Sequence, residues 1–152
     1  MLLAIEFQEA YKRLDKLCKE CFASKDGVSE YIRIMESEYL GEKYVSTWKS
    51  DLKELKHVRW VRNQLSHEVG TLQSDICSQN DLNYIECFYK NIMERKDPLT
   101  LLRIAKAAEK RQEYKQFQYT NSKTNNLSSA DTNKDKKSFF GRILEKIKSF
   151  FS

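Results

Sequence analysis

The sequence predicts an all-α fold, an antiparallel bundle of about five helices followed by a linker and a C-terminal amphipathic helix. Its 152 residues include only four Gly and one Pro, which leaves little material for the turns that a sheet requires. Apolar residues recur at intervals of three and four along most of the chain, which is the helical spacing. With 40% hydrophobic and 32% charged residues, the chain is long enough for one domain with a real core and too short for two.

A glycine turn separates the first two predicted helices. The first runs from Leu2 to Ala23 and ends before Gly27, which provides a positive φ. The second begins near Ser29 and is predicted to end at Gly41. Both segments are amphipathic, so each is expected to bury one face in the bundle.

The third predicted helix begins at a cap, Ser46 or Thr47, and ends at Gly70. Its sequence contains neither Gly nor Pro between 45 and 69. The apolar stripe that predicts it consists of Val45, Trp48, Leu52, Leu55, Val58, Leu65 and Val69.

Two further helices are predicted after a polar loop over residues 71–80. Asp81 is expected to cap the fourth helix. Asp97 followed by Pro98 is a typical helix opening, and the fifth helix then continues toward Tyr114. Short connections of this kind favour antiparallel neighbours in a bundle.

The four cysteines favour free thiols over a metal site or a disulfide. Cys18 and Cys21 lie on the apolar stripe of the first helix and are expected to be small core residues. Cys77 and Cys87 do not form the second short pair that a structural zinc site normally has. Glu6 interrupts the apolar N terminus before a signal-peptide core forms. We therefore expect a cytoplasmic location, no metal and no cofactor.

Composition divides the chain into a bundle over residues 1–116, a flexible polar linker over 117–136 and a basic amphipathic helix over 137–152. The linker is almost without apolar residues and cannot bury a core. The net charge is +1 over 1–116 and +4 over 117–152. The basic excess of the chain therefore belongs to its last part.

The last segment has an apolar face at helical spacing, with its cations on the other side. It is too short and too charged to span a bilayer. Three interpretations stay open: binding at the cytoplasmic face of an anionic membrane, docking in the groove of a partner protein, or packing on its own bundle. The residues of this face are Phe139, Phe140, Ile143, Leu144, Ile147, Phe150 and Phe151.

Arg62, Asn63 and His67 are the most informative residues of the chain. On a helical wheel, Arg62 falls near the middle of the apolar arc of the third helix, where a merely solvated cation is not expected. Asn63 and His67 are four residues apart and share a second face with Trp60. A guanidinium, an amide and an imidazole in this arrangement suit a phosphate, and we expect them to line a solvent-reachable groove.

The surroundings of the motif allow other interpretations. Arg62 could instead form a buried ion pair with a carboxylate of a neighbouring helix, namely Glu30, Glu36 or Glu86. The candidate RNA-binding residues on the same helix are Lys53, Lys56 and Arg59, for which a solvated face is the alternative. His57 is predicted to be a solvated surface histidine without a role.

Arg62 and Asn63 followed by His67 resemble the motif of the HEPN superfamily, in which an Arg and a polar residue precede a spacer and a His. These helical domains include metal-independent endoribonucleases of toxin and defence systems as well as inactive binding members. The resemblance covers the motif and the all-helical pattern of residues 1–116. It implies that Arg62 holds the scissile phosphate, that His67 acts on the ribose 2′-hydroxyl, and that the motifs of two copies meet in a homodimer.

The resemblance thus predicts a metal-independent endoribonuclease of toxin or defence type that cleaves RNA by 2′-hydroxyl attack, with Arg62, Asn63 and His67 at its site. An imidazole, whose ordinary pKa is about 6.5, suits the base, and a guanidinium suits the phosphate charge. The alternative is a non-catalytic HEPN-like dimer, tethered to a membrane or a partner by the C-terminal helix. The expected partners are a second copy, RNA, an antitoxin or other protein and, through the tail, a membrane surface.

Overall fold

The computed structural model describes residues 2–67, 76–125 and 145–146, and the side chains of 124 and 125 are not described. The described residues form an all-α helical bundle, as the sequence predicted. Two compact units, Met1–Glu109 and Lys110–Ser152, divide the chain. The named helices are α1 (Leu2–Phe22), α2 (Val28–Ser37), α3 (Gly41–Tyr44), α4 (Trp48–His67), α5 (Gln79–Met93) and α6 (Pro98–Asn125).

The core of the first unit forms around α1, which packs against α2, α4 and α5. Burying one such large apolar side chain stabilises the fold by roughly 1.5–3 kcal/mol. The residues that fill the core repeat on one face of each helix, at the spacing from which helices were predicted. The largest fully buried side chains are Phe7, Phe88, Leu14, Ile32, Met35, Leu55 and Ile85.

Gly27 forms the predicted turn between α1 and α2, with a φ of 50°. The Asp15 side chain lies so close to Gly27 that any Cβ there would collide with it. Asp15 Oδ1 accepts a hydrogen bond from the Val28 N–H at 2.9 Å, which fixes the first turn of α2. Gly27 is therefore required both by its backbone conformation and by this close approach.

Gly41 does not end α2, contrary to the prediction. The helix ends at Ser37, and Glu38 adopts an extended conformation with φ −94° and ψ 90°. Gly41 instead begins the single turn of α3 and is buried. A Cβ at Gly41 would collide with the indole of Trp48, so this glycine allows a close approach of the first residue of α4.

The predicted cap of α5 was placed three residues too late. Ser78 is the N-cap, and its side chain accepts a hydrogen bond from the Asp81 N–H at 3.2 Å. Asp81 Oδ2 in turn accepts from the Ser78 N–H at 2.7 Å, which completes a capping box. Asp81 therefore contributes to the cap from the first turn of the helix, where it is 7% exposed.

The predicted opening of α6 is confirmed. The Thr100 N–H donates to Asp97 Oδ2 at 3.3 Å, and Pro98 occupies the first helical position. The Tyr31 hydroxyl also donates to Asp97 Oδ2, at 2.6 Å, and accepts from the Leu99 N–H at 3.1 Å. This contact joins α2 to the first turn of α6.

The end of α6 was predicted wrongly. The helix continues to Asn125, so residues 117–125 of the predicted linker are helical, whereas 126–136 lie outside the described residues. Hydroxyl groups in this stretch donate to backbone carbonyls within the helix, as Thr120 Oγ1 does to Gln116 O at 3.1 Å. A polar composition therefore predicted the exposure of this stretch correctly and its secondary structure incorrectly.

The predicted C-terminal helix lies outside the described residues, except for Glu145 and Lys146, which are helical. All seven residues of its apolar face are among those not described. In the part of the chain that the structure describes, no helix combines the length and apolar character needed to cross a membrane.

The four cysteines are free. Of the two thiols that were predicted to lie in the core, one is exposed. Cys18 is buried, and this burial raises the pKa of its thiol to about 12. Cys21, three residues later, is exposed instead. Cys77 is buried and Cys87 is exposed.

Candidate functional site

The motif lies in the last two turns of α4, and its three side chains are exposed. The buried face of α4 changes direction along the helix: Leu55 is buried in the first part, whereas Val61 and Leu65 are buried in the second. Arg62 falls within the arc of the first part only. The prediction that Arg62 lies in the middle of the apolar face was wrong for this reason, and its exposure agrees with a solvent-reachable site.

Two neighbours hold the Arg62 side chain. Its guanidinium carbon lies 5.9 Å from the centroid of the Tyr11 ring on α1, within the range of a cation–π contact. Its Nη1 donates to Asn63 Oδ1 at 3.1 Å. Tyr11 is only 5% exposed. Burial raises the pKa of the Tyr11 hydroxyl, and the negative charge of Asp15 adds to that rise, so the ring stays neutral at physiological pH.

None of the three carboxylates considered as partners pairs with Arg62. They bind other cations instead: Glu30 pairs with Arg33, Glu36 with Lys56, and Glu86 with Arg13. Among the described residues, no acidic side chain lies within ion-pair distance of Arg62. The buried ion pair considered as an alternative is therefore not formed there.

The three motif residues are brought together only in part. Asn63 contacts Arg62 directly, and His67 follows Asn63 by one helical turn, so these two share a face. Arg62 and His67, in contrast, are separated by roughly 140° around the helix and ~7.5 Å along its axis. His67 is the last residue of α4 that the structure describes. A single copy thus presents the guanidinium and the imidazole on different sides of α4.

The candidate RNA-binding residues differ in how much of their charge is available. Lys53 is exposed. Lys56 pairs with Glu36, and this contact lowers the pKa of the Glu36 carboxyl. Arg59 is half-buried, and its Nη1 donates to Ser29 Oγ at 3.4 Å. Of the three, Lys53 is the one for which the described contacts include no ion pair or hydrogen bond.

His57 is not the solvated histidine that was predicted. Its Nε2 lies 3.0 Å from Asp81 Oδ1, so it connects α4 to the cap of α5. Its ring also stacks on Trp60, with the centroids 6.1 Å apart and the planes at 23°. The spacing of three residues between His57 and Trp60 on one helix was the sequence signal for this stacking. The partner Asp81 could not be predicted because it belongs to another helix.

A cleft of about 250 Å³ lies between α1 and α5. None of the predicted site residues lines it. Its walls are Ala10, Arg13, Ile85, Glu86 and Tyr89.

Comparison with known proteins assigns the chain to a family without assigning an activity. Residues 5–151 match a family of unknown function, DUF6548. No curated protein and no solved structure matches. Because the match covers nearly the whole chain, the chain belongs to the DUF6548 family.

Proposed function

We propose that this chain is a metal-independent endoribonuclease of the HEPN type, active as a homodimer, in which Arg62, Asn63 and His67 act on RNA. The observation that supports this most is that Arg62 is exposed and that no carboxylate neutralises its charge among the described residues. Its guanidinium is exposed and is held by a ring and an amide. Neither contact neutralises it, so its charge stays available for a phosphate.

The proposed reaction is an internal transfer. His67 takes the proton of a ribose 2′-hydroxyl, and the 2′ oxygen forms a bond to the adjacent phosphorus. The bond from phosphorus to the 5′ oxygen of the next nucleotide breaks, and that oxygen is protonated. The products are a 2′,3′-cyclic phosphate and a 5′-hydroxyl end.

Arg62 and Asn63 would stabilise the charge that develops on the phosphate oxygens. The guanidinium can donate two parallel hydrogen bonds to them. Because Asn63 Oδ1 accepts from Arg62, the amide NH₂ group is the part of Asn63 left to donate to the phosphate. Positioned donors of this kind contribute about 2.7–4 kcal/mol each to transition-state stabilisation in well-studied enzymes.

A second copy would complete the site. One copy separates Arg62 and His67 by roughly 140° around α4, which favours a site in which each copy supplies part of the groups. Two His67 side chains facing each other about a two-fold axis would provide both a base and an acid. The homodimer is therefore part of the proposal.

Local charge supports RNA as the ligand, although the bundle as a whole is nearly neutral. The thirteen residues from 55 to 67 contain three Lys or Arg, two His and no Asp or Glu. This half of α4 therefore carries a net positive charge of its own, which suits a polyanion. A toxin or defence role in the cytoplasm, with an antitoxin as protein partner, is what the HEPN resemblance adds to the proposal.

The test is cleavage of an end-labelled single-stranded RNA by four proteins: wild type, His67→Ala, Arg62→Ala and, as a matched control, Arg103→Ala. Arg103 is an exposed arginine on α6, away from the motif in sequence. We expect loss of His67 to reduce the rate by about 10²-fold or more, Arg62→Ala to reduce it by a similar factor, and Arg103→Ala to have no effect. Circular dichroism confirms that each variant folds.

Two results would contradict the proposal. Cleavage by His67→Ala at the wild-type rate would show that the activity belongs to another group or to a contaminant. Absence of cleavage by the wild-type protein, together with intact RNA binding, would instead favour the non-catalytic HEPN-like dimer.

A further inference from the structure

We infer that Trp60 is a base-stacking platform, which holds an unpaired base of single-stranded RNA beside the face of α4 that carries Asn63 and His67. This inference rests on the proposed function and adds the substrate class, single-stranded rather than duplex RNA. Four observations carry it: the exposure of Trp60, its fixed orientation, its place beside the motif and the charge around it.

The Trp60 side chain is much more exposed than that of a tryptophan that packs in the core. Its exposed fraction is 53%, whereas Trp48 on the same helix is 3% exposed and belongs to the core. Among the described residues of α4, no other large apolar side chain is exposed. An indole has the largest π face of any side chain, and every nucleobase can stack on it.

A series of contacts fixes the orientation of this indole. His57 stacks on Trp60, and its Nε2 is held 3.0 Å from Asp81 Oδ1. The other carboxylate oxygen of Asp81 accepts from the N–H and hydroxyl of Ser78, at 2.7 and 2.9 Å. The cap of α5 thereby positions His57 against one side of Trp60 and leaves the exposed side for a ligand. A platform that is ordered before binding loses less entropy when a base stacks on it.

Trp60 shares its face of α4 with two of the three motif residues, Asn63 and His67, whereas Arg62 lies roughly 160° away around the helix. Trp60, Asn63 and His67 lie within roughly 60° of one another around α4, over a rise of ~10.5 Å. A base on Trp60 therefore places its own sugar and phosphate along the face that carries Asn63 and His67.

The composition around the platform fits a polyanion better than an apolar protein surface. No Asp or Glu occurs between 55 and 67, so α4 itself offers a phosphate chain cations and imidazoles without carboxylates. Glu36 and Asp81 of the neighbouring helices pair with Lys56 and His57. In a duplex, the bases are stacked on each other and cannot reach an indole. The geometry accordingly selects single strands.

Binding can be measured without cleavage by using the full-length wild-type protein and a 2′-O-methyl RNA of about eight nucleotides, a length within the usual site size. The 2′-O-methyl group removes the proposed nucleophile. Three oligomers are compared: the single strand, the same strand with abasic positions at its centre, and the duplex. Anisotropy of the labelled oligomer gives affinity, and tryptophan emission reports stacking, with buried Trp48 as the constant background.

We expect Trp60→Leu to weaken binding of the single strand by roughly 5- to 150-fold and Trp60→Phe, which keeps an aromatic face, to weaken it less. The abasic strand should bind the wild type weakly and be insensitive to Trp60→Leu. The wild-type emission should be quenched by the intact strand, and Trp60→Phe should show no quenching.

The outcomes separate this inference from the proposed function. If Arg62→Ala weakens binding but Trp60→Leu does not, RNA binds at the site without stacking on Trp60, and the inference is wrong while the proposed function stands. If no oligomer binds to any of the proteins, both are wrong. If Trp60 emission depends on protein concentration rather than RNA, and Trp60→Leu abolishes a dimer in sedimentation, a second copy covers the indole and the inference is overturned.

Discussion

Arg62 is held by the face of Tyr11 rather than by a carboxylate. A carboxylate would fix the side chain and also cancel its charge. An aromatic ring fixes it while leaving the charge available, which is what a phosphate-binding arginine requires. The sequence did not predict this contact, because a contact between two helices leaves no local signal.

The first prediction concerns this contact. Arg62→Ala should lower the free energy of unfolding by about 0.5–1 kcal/mol, the value of an exposed cation–π pair. Urea denaturation of wild type, both single variants and the double variant with Tyr11→Leu measures the coupling. The cost of Arg62→Ala should nearly vanish in the Tyr11→Leu background. An equal cost in both backgrounds would show that Tyr11 does not hold Arg62.

The second prediction concerns Asp81, which both caps α5 and holds His57. Asp81→Ala should destabilise the fold by about 1–2 kcal/mol in urea denaturation, because it removes one half of the capping box. Asn80→Ala, at the exposed neighbouring position, is the matched control and should change stability by less than about 0.5 kcal/mol. Equal effects of the two changes would contradict the role assigned to Asp81.

At the scale of the helices, two local signals were predictive, two others, at Gly41 and at the cap of α5, were misread, and contacts between helices were not predicted. The turn at Gly27 and the opening at Asp97 depend on residues adjacent in sequence, and both were predicted. The partner of His57 and the shift of the buried face along α4 depend on which helices meet, and both were missed. The motif itself was located on the correct helix and in an exposed place.

The third prediction tests the junction of α3 and α4. Gly41→Ala should cost about 1–3 kcal/mol in urea denaturation, since its methyl group meets the Trp48 ring in a packed core. In a Trp60→Phe background, Trp48 is the one remaining tryptophan, and its emission should shift to the red. Glu42→Ala, at the exposed neighbouring position, is the control. Unchanged stability of Gly41→Ala would mean that the close approach does not constrain this glycine.

At the scale of the whole molecule, two buried tyrosines and one partly buried tyrosine predict that the fold loses stability at alkaline pH. Burial raises the pKa of Tyr11, Tyr31 and Tyr84. Tyr31 and Tyr84 also donate hydrogen bonds, to Asp97 and Asp51, and the carboxylates disfavour ionisation further. The neutral forms are therefore the ones that the fold requires, and Cys18, with a pKa of about 12, behaves in the same way.

The fourth prediction follows from the sign of these shifts. Below the unfolded pKa of about 10, the stabilisation is fully present. Above it, the unfolded chain releases protons that the folded chain keeps, so stability falls by up to about 1.4 kcal/mol per pH unit for each tyrosine. Urea denaturation between pH 8 and 11 measures the slope. Tyr31→Phe, though less stable at pH 8, should show a shallower decline above pH 10; an unchanged slope would contradict the assignment.

The most direct test of the central claim is the chemistry of the RNA ends produced by full-length protein in the presence of a chelator. We expect wild-type protein to yield 2′,3′-cyclic phosphate and 5′-hydroxyl ends, His67→Ala to yield none, and a single 2′-deoxy substitution at the cleaved position to block the reaction. Cleavage that stops with the chelator, that proceeds past the 2′-deoxy position or that persists in His67→Ala would contradict the account.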